Sequence, residues 1–310
     1  MRIIDFETIQ QVFEPAEAID AMREALVAQA RGECDTPMPM HLGITPVEAE
    51  VHIKSSYRRG GRYFAVKVAS GFPQNLAQGL PVGNGMMLLV SAETGEPVAV
   101  LADEGFLTDA RTAAVSALVA KELGRKDTTL GILGSGIQAR LQAQMHAEIM
   151  DLERIWVWGR TPERVESYSQ DMSELLPAVE VLIADTPAAV AANSRLIATV
   201  TAAREPLLTT DDLQPGTHIS AVGSDSPGKQ ELDPEILRQA ALLLVDSVSQ
   251  CERLGELQHA PELRERAIEA GAFCDAPVSV DGQALSVCDF TGLGVEDLFI
   301  AQYCYKKAAE

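Results

Sequence analysis

Hydrophobic and polar positions follow two regimes along the chain. In the first hundred residues, β-forming clusters come in pairs around turn residues. Segments 50–56 and 63–69 flank Arg58-Arg59-Gly60-Gly61, and segments 85–90 and 97–102 flank Thr94-Gly95-Glu96. Each pair predicts an antiparallel hairpin. From 108 to 123 the pattern turns helical and rich in Ala and Val, with Gly124 as its C-terminal stop. Beyond it, short apolar strands alternate with helical stretches. Strand 129–133 leads into a helix reaching Met150, strand 154–158 into a helix from Pro162, and strand 179–183 into a helix opening at Thr186-Pro187. Further strands are expected at 195–200, 218–222, 242–245 and 286–289, followed by a last helix towards Lys307. Such alternation predicts an α/β fold with a doubly wound parallel sheet beside an α+β domain. The expected division is 1–120 with a returning tail 293–310, against 121–292.

Composition narrows the function. The 310 residues hold 45 Asp+Glu and 25 Lys+Arg, a net charge of −20. That balance excludes nucleic acid, which needs clustered cations, and an anionic membrane surface. Hydrophobic residues at 46% and charged residues at 23% describe an ordinary globular chain. The N-terminal segment carries too many acids for a signal peptide, and no apolar run is long enough to span a bilayer. Cys34, Cys251, Cys274, Cys288 and Cys304 are scattered and form no CxxC pair. They read as free thiols of a cytoplasmic protein, with no disulfide frame and no metal site.

The sharpest motif is Gly134-Ser135-Gly136-Ile137-Gln138-Ala139, between an apolar strand and a helix. This is the G-x-G-x-x-G/A context of a Rossmann dinucleotide site. Gly134 permits the tight turn, Gly136 lets the backbone approach a pyrophosphate, and Ala139 allows close packing of helix on strand. The helix N-terminus offers free N–H groups to phosphates. The second strand ends at Gly159-Arg160-Thr161, without the acidic residue that would hold ribose hydroxyls. Arg160 and Thr161 suit a 2′-phosphate, although Arg160 could equally stack on adenine or lie in solvent. The cofactor is therefore expected to be NAD(H) or NADP(H).

Basic residues on apolar segments mark a second site. Lys54 follows Val51-His52-Ile53, and Lys67 sits inside Phe64-Ala65-Val66-Lys67-Val68-Ala69. A Lys in such a run either alternates to solvent or is held by a partner or ligand. Arg111 stands in the helix start Thr108-Asp109-Ala110-Arg111-Thr112, where the helix dipole disfavours a cation. Its fork suits a substrate carboxylate, or a salt bridge to Asp103, Glu104 or Asp109. Val222-Gly223-Ser224-Asp225 ends a strand at the expected crevice, so Asp225 is either a proton-transfer or amine-binding group or a turn former. Asp289-Phe290-Thr291-Gly292 follows the last strand and could line a nicotinamide pocket.

Together the Lys67 strand and its Gly71-Phe72 loop, the segment 101–114, the glycine fingerprint, Val222-Gly223-Ser224-Asp225 and Asp289-Phe290-Thr291-Gly292-Leu293 resemble the ornithine cyclodeaminase/mu-crystallin family. The resemblance covers most of the chain. It implies a homodimer built through an N-terminal substrate domain and a dinucleotide-binding Rossmann domain. It implies that Lys67 and Arg111 hold the substrate carboxylate and that Asp225 contacts the reacting nitrogen. Asn84, His41 and His52 join the expected substrate residues, and Thr112, Val222, Gly223, Thr291 and Gly292 the expected cofactor residues. Two departures stand out. The family's cyclodeaminases carry Arg where 37–42 reads Pro-Met-Pro-Met-His-Leu, and an acidic catalytic residue near Glu50-Val51-His52-Ile53-Lys54. The pattern is closer to branches that include imine reductases and ectoine-breakdown proteins.

Ornithine carries a distal ammonium and needs an opposing carboxylate. Here His41, His52, Lys54, Lys67 and Arg111 gather with Asp225 as the main acid, which favours a small dianion. The expected activity is NAD(P)H-dependent reduction of a small dicarboxylic imino acid, iminosuccinate to aspartate, with Lys67, Asp225 and Lys54 as catalytic residues. The alternatives are a cyclodeaminase without net redox change, and a non-catalytic cofactor-binding protein of the crystallin kind.

Overall fold

In a computed structural model, residues 1–309 are described. They divide into two compact units, 1–111 with 293–310, and 112–292. The division falls inside one helix, at Arg111 rather than at 120.

The first unit is built on a seven-stranded sheet. Its strands are β1 (Arg2–Asp5), β2 (Cys34–Asp35), β3 (Met40–Ile44), β4 (Ala49–Arg58), β5 (Tyr63–Gly71), β6 (Gly83–Ser91) and β7 (Pro97–Ala102). Helices α1 (Phe6–Val12) and α2 (Pro15–Ala30) precede β2, and α3 (Phe106–Glu122) follows β7. The order is β1-β7-β6-β5-β4-β2, with β3 also on β4. Both expected hairpins form, β4 with β5 and β6 with β7. Gly60 and Gly95 take φ of 77° and 74° in their turns, where a side chain would be strained. Strand β1 pairs β7 in parallel and was not expected, because Arg-Ile-Ile-Asp is too short to show a period.

Register decides what each sheet face presents. Lys54, Lys67, Met87, Leu101 and Ile4 are successive cross-strand partners and form one buried row. The C-terminal helix Gly294–Lys307 covers this face, packing on β4, β5 and α2. A Cβ on Gly294 would stand 2.6 Å from the Ser55 carbonyl oxygen, so only glycine lets that helix begin so close to β4. On the opposite face Ile3, Met40, Leu42 and Met86 are exposed.

The second unit holds strands β8 (Thr129–Leu133), β9 (Arg154–Trp158), β10 (Glu180–Ile183), β11 (Leu196–Thr199), β12 (Arg204–Leu208), β13 (His218–Ala221), β14 (Gln230–Leu232), β15 (Leu242–Val245), β16 (Ile268–Glu269) and β17 (Ser286–Asp289). Its helices are α4 (Ile137–Ala147), α5 (Pro162–Leu175), α6 (Pro187–Asn193), α7 (Pro234–Gln239), α8 (Val248–Leu254) and α9 (Ala270–Asp275). The main sheet runs β10-β9-β8-β11-β13-β17-β15-β16, every pair parallel. Strand order reverses between β8 and β11, and ligands of open α/β sheets bind at such a switch point. Two apolar cores flank the sheet, one around Leu130, Ile155 and Tyr168 and one around Ile197, Ile219 and Leu243. The small parallel pair β12-β14 escaped the sequence pattern.

His146 is fully buried on α4, and its Nδ1–H donates to the Gln142 carbonyl at 2.8 Å. Burial pushes the imidazole down to about 4. Its folded-state affinity for protons is thus depressed, and it contributes stability that is lost as pH falls from 6.5 towards 4, worth about 3 kcal/mol. Buried carboxylates with raised pKa have the opposite linkage, so the informative comparison is with a variant. His146→Gln is expected to show a shallower loss of unfolding free energy than the parent between pH 6.5 and 4. Parallel pH profiles in urea denaturation would refute this.

Candidate active site

Two clusters concentrate the chemistry, one in each unit. In the first, Lys54 and Lys67 are directly opposed across β4 and β5, with exposures of 8% and 2%. Neither alternates to solvent. Two like charges held side by side out of water need nearby anions. The first turn of the C-terminal helix supplies them, where the helix dipole also favours acids. Lys67 Nζ lies 3.1 Å from Asp297 Oδ2, while Arg111 reaches Asp297 Oδ1 through Nε at 3.2 Å and Glu296 Oε2 through Nη1 at 2.6 Å. Burial still pulls Lys67 down to about 7, against the pull of Asp297 and with help from Arg111 and Lys54. Asp103 is buried beside this network, accepts the Leu107 N–H at 2.8 Å, and is pushed by burial up to about 6.

This adds acidic partners to the expected cluster. Arg111 pairs with Glu296 and Asp297, acids outside the expected set of Asp103, Glu104 and Asp109. Asp103, Glu296 and Asp297 are built into the basic cluster, three acids that the sequence reading did not place there. The missed signal was Glu296-Asp297 just after Gly294, which in a sequence looks only like an ordinary acidic helix start. On the same face of β4, two and four residues before Lys54, stand His52 and Glu50. His41 on β3 is the direct partner of His52, and Glu50 Oε2 lies 3.5 Å from Nε2 of both histidines. Asn84 is exposed on β6 and its side chain accepts the Gly85 N–H.

In the second unit, a cleft of about 230 Å³ opens at the switch point. Gly134, Ser135 and Gly136 form one wall, Arg160, Thr161 and Arg164 another, and Val200 and Thr201 after β11 a third. Gly134 has φ of 127°, and a Cβ there would sit 2.9 Å from the Val200 carbonyl oxygen. A Cβ on Gly136 would meet no protein atom within 4 Å, so protein packing does not demand that glycine and approach by a ligand would. Ala139 is fully buried against the sheet, as close helix packing requires. Ile137 is exposed at the start of α4, while Gln138, Thr112, Val222 and Gly223 stand outside the lining of this cleft.

Loops at the C-terminal ends of these strands must satisfy their N–H groups, and buried carboxylates do so. Glu231, wholly buried, accepts from Thr199 Oγ1 at 2.7 Å, Thr201 N at 2.6 Å, Thr201 Oγ1 at 2.8 Å and Gly223 N at 2.9 Å. It joins the loop after β11 to the loop after β13. Its own N–H donates to Glu256 at 2.7 Å, and burial raises the pKa of both carboxyls. Asp246 similarly accepts Thr291 N and Gly292 N, each at 2.6 Å. The Thr291 hydroxyl bonds to Asp246 and accepts from Gln250, so Thr291 braces its turn. Asp225 is half-buried and gripped by Lys229 at 2.5 Å.

A parallel sheet of reversing order, a glycine cradle without an acidic partner at β9, and a separate buried cation face define a Rossmann-type protein of two units. The chain belongs to the ornithine cyclodeaminase/mu-crystallin family, whose model matches residues 3–310. An uncharacterized cyclodeaminase of Sinorhizobium fredii is 34% identical over 300 residues, covering 94% of this chain and 89% of that protein. Among solved structures, Thermococcus litoralis Δ1-pyrroline-2-carboxylate reductase with NADH and L-proline matches at TM-score 0.92 and 26% identity, covering 100% of this chain and 98% of that one. Iminosuccinate reductase of Paracoccus denitrificans with NAD+ matches at TM-score 0.90 and 27% identity, covering 100% and 96%. An archaeal alanine dehydrogenase dimer with bound NAD and a lysine cyclodeaminase also match, each at TM-score 0.90.

Glu231→Ala strands four donors at the rim of the cleft and is expected to lower the unfolding free energy by about 3 kcal/mol or more. Chemical denaturation checks this, and a change below about 1 kcal/mol would show that the clasp is not structural.

Proposed function

We propose that this chain is an NAD(P)H-dependent imine reductase, forming an L-amino acid from a small imino acid, with iminosuccinate as the first candidate. The observation that carries this is Lys54, buried and directly opposite Lys67. A second ammonium on the substrate face repels the distal ammonium of a diamino acid and attracts a distal carboxylate. The supporting likenesses are to reductases of imino acids.

The roles follow from the geometry of each cluster. Lys67 and Arg111 are fixed by Glu296 and Asp297, so they meet a substrate α-carboxylate without losing entropy to ordering. Because three carboxylates share the cluster, the substrate binds there in competition with internal ion pairs. Lys54, with His52 and His41 beyond it on the same face, reads the distal group. Asp225, whose Oδ1 is held by Lys229, is the group assigned to the reacting nitrogen. Gly134, Ser135 and Gly136 cradle a pyrophosphate, and Arg160 with Arg164 accommodates a 2′-phosphate, so NADPH serves as well as NADH. When bound, the nicotinamide supplies hydride to the imine carbon.

Glu50 favours a second reading. It places a carboxylate on the same face, and a distal ammonium pairing there would make the chain a cyclodeaminase. For assembly, we infer a homodimer through the outer face of the first unit's sheet. Ile3, Met40, Leu42 and Met86, on three strands, are 51–69% exposed on that face, and exposed apolar side chains sharing one face favour an association surface.

A spectrophotometric screen of 2-oxo acids with ammonia, run with NADH and NADPH, tests the activity. Steady cofactor oxidation fastest with oxaloacetate is expected, and Lys54→Ala should cost about 10-fold or more in kcat/KM on it while sparing pyruvate. Ammonia release from a diamino acid without net cofactor oxidation would establish the second reading instead. Light scattering should give twice the chain mass, and a monomer at micromolar concentration would remove the dimer.

A further inference from the structure

We propose that His41, Glu50 and His52 form a binding site for one borderline divalent metal ion, of the zinc, cobalt or nickel class. The trio is assembled by strand register. His41 and His52 are direct partners across β3 and β4, and Glu50 stands two residues from His52 on the same face. Each side chain offers one ligand atom, and these atoms lie within 4.8 Å of one another. The Glu50 oxygen is 3.5 Å from each Nε2, longer than a strong charge-assisted hydrogen bond. It is, however, the ligand-to-ligand spacing of a tetrahedral site. Metal–ligand bonds of about 2.0–2.2 Å place tetrahedral ligands about 3.3–3.6 Å apart. The imidazole rings stand 4.8 Å apart at 56°, and closing the histidine pair to tetrahedral spacing requires the side chains to turn towards each other.

Donor chemistry selects the metal. Two imidazoles and one carboxylate suit zinc, cobalt and nickel, and offer magnesium or calcium too few oxygens. Three protein ligands leave a fourth position open, as in sites that exchange a water or bind an anion. That open position lies on the substrate-facing side of β4, two residues from Lys54. A metal there would offer a carboxylate a further cation, and excess metal would compete with the proton for the same histidines. The site itself does not depend on the reductase reading.

Among the described residues no other group of three or more His, Cys, Asp or Glu is assembled to hold such an ion. All five cysteines are buried, and so are His146 and His218. His259 Nε2–H donates to the Lys229 carbonyl at 2.8 Å.

Tag-free full-length protein should be titrated with zinc by calorimetry and with cobalt by visible absorption. One ion per chain is expected, with ligand-field bands for cobalt of low coordination number. His41→Ala, His52→Ala and Glu50→Gln should each weaken binding at least about tenfold, with circular dichroism unchanged, while His259→Ala leaves it intact. Binding that survives the H41A/H52A pair, or binding by the parent no stronger than by that pair, would overturn the proposal. Loss of folded signal in a single variant is resolved by His52→Asn, which keeps a polar side chain and should still lose the metal.

Discussion

The arrangement of the first unit depends on one buried ion network, Lys67 and Arg111 against Glu296 and Asp297. Cations out of water are tolerated only when paired, and removing one partner leaves an uncompensated charge. That requirement accounts for the returning C-terminal helix, whose first turn must reach the centre of the sheet. It accounts for Gly294, since any side chain there would collide with the Ser55 carbonyl and hold the acids away. It also holds two cations in one fixed arrangement, close to neutral with their acids.

The second unit solves the converse problem with the same residue type. Loops that leave a parallel sheet carry N–H groups with no strand partner. Glu231, Glu256, Asp246 and Asp289 take up those donors from within the protein. Part of the net charge of −20 is therefore interior. Acids that look in sequence like solubilising surface hold the turns against which a dinucleotide would lie. Charge is thus used in opposite ways. In one unit carboxylates cancel cations, and in the other they satisfy backbone.

Local signals were legible in the sequence and long-range partners were not. The hairpins at Gly60 and Gly95, the strand–glycine–helix passage at 129–139, and the strands 154–158, 242–245 and 286–289 each rest on contiguous residues. Lys54 and Lys67 were singled out by their apolar neighbours, yet their direct opposition depends on register, which no single strand reveals. Glu296 and Asp297 lie 185 and 186 positions from Arg111, and only the fold brings them together. Glu231 sits in the three-residue strand β14, too short to carry a period. Thr291 was read as lining a pocket, and its hydrogen bonds to Asp246 and Gln250 depend on partners 45 and 41 positions away.

Net hydride transfer from free cofactor to carbon separates a reductase from the cyclodeaminase and binding-protein alternatives. The decisive measurement is mass spectrometry of the amino acid formed from a 2-oxo acid, ammonia and NADH carrying deuterium at the transferable C4 position. The account predicts a product with one deuterium on its α-carbon and one equivalent of NAD+ per molecule formed. An unlabelled product, or turnover with no net NADH oxidation, would contradict it.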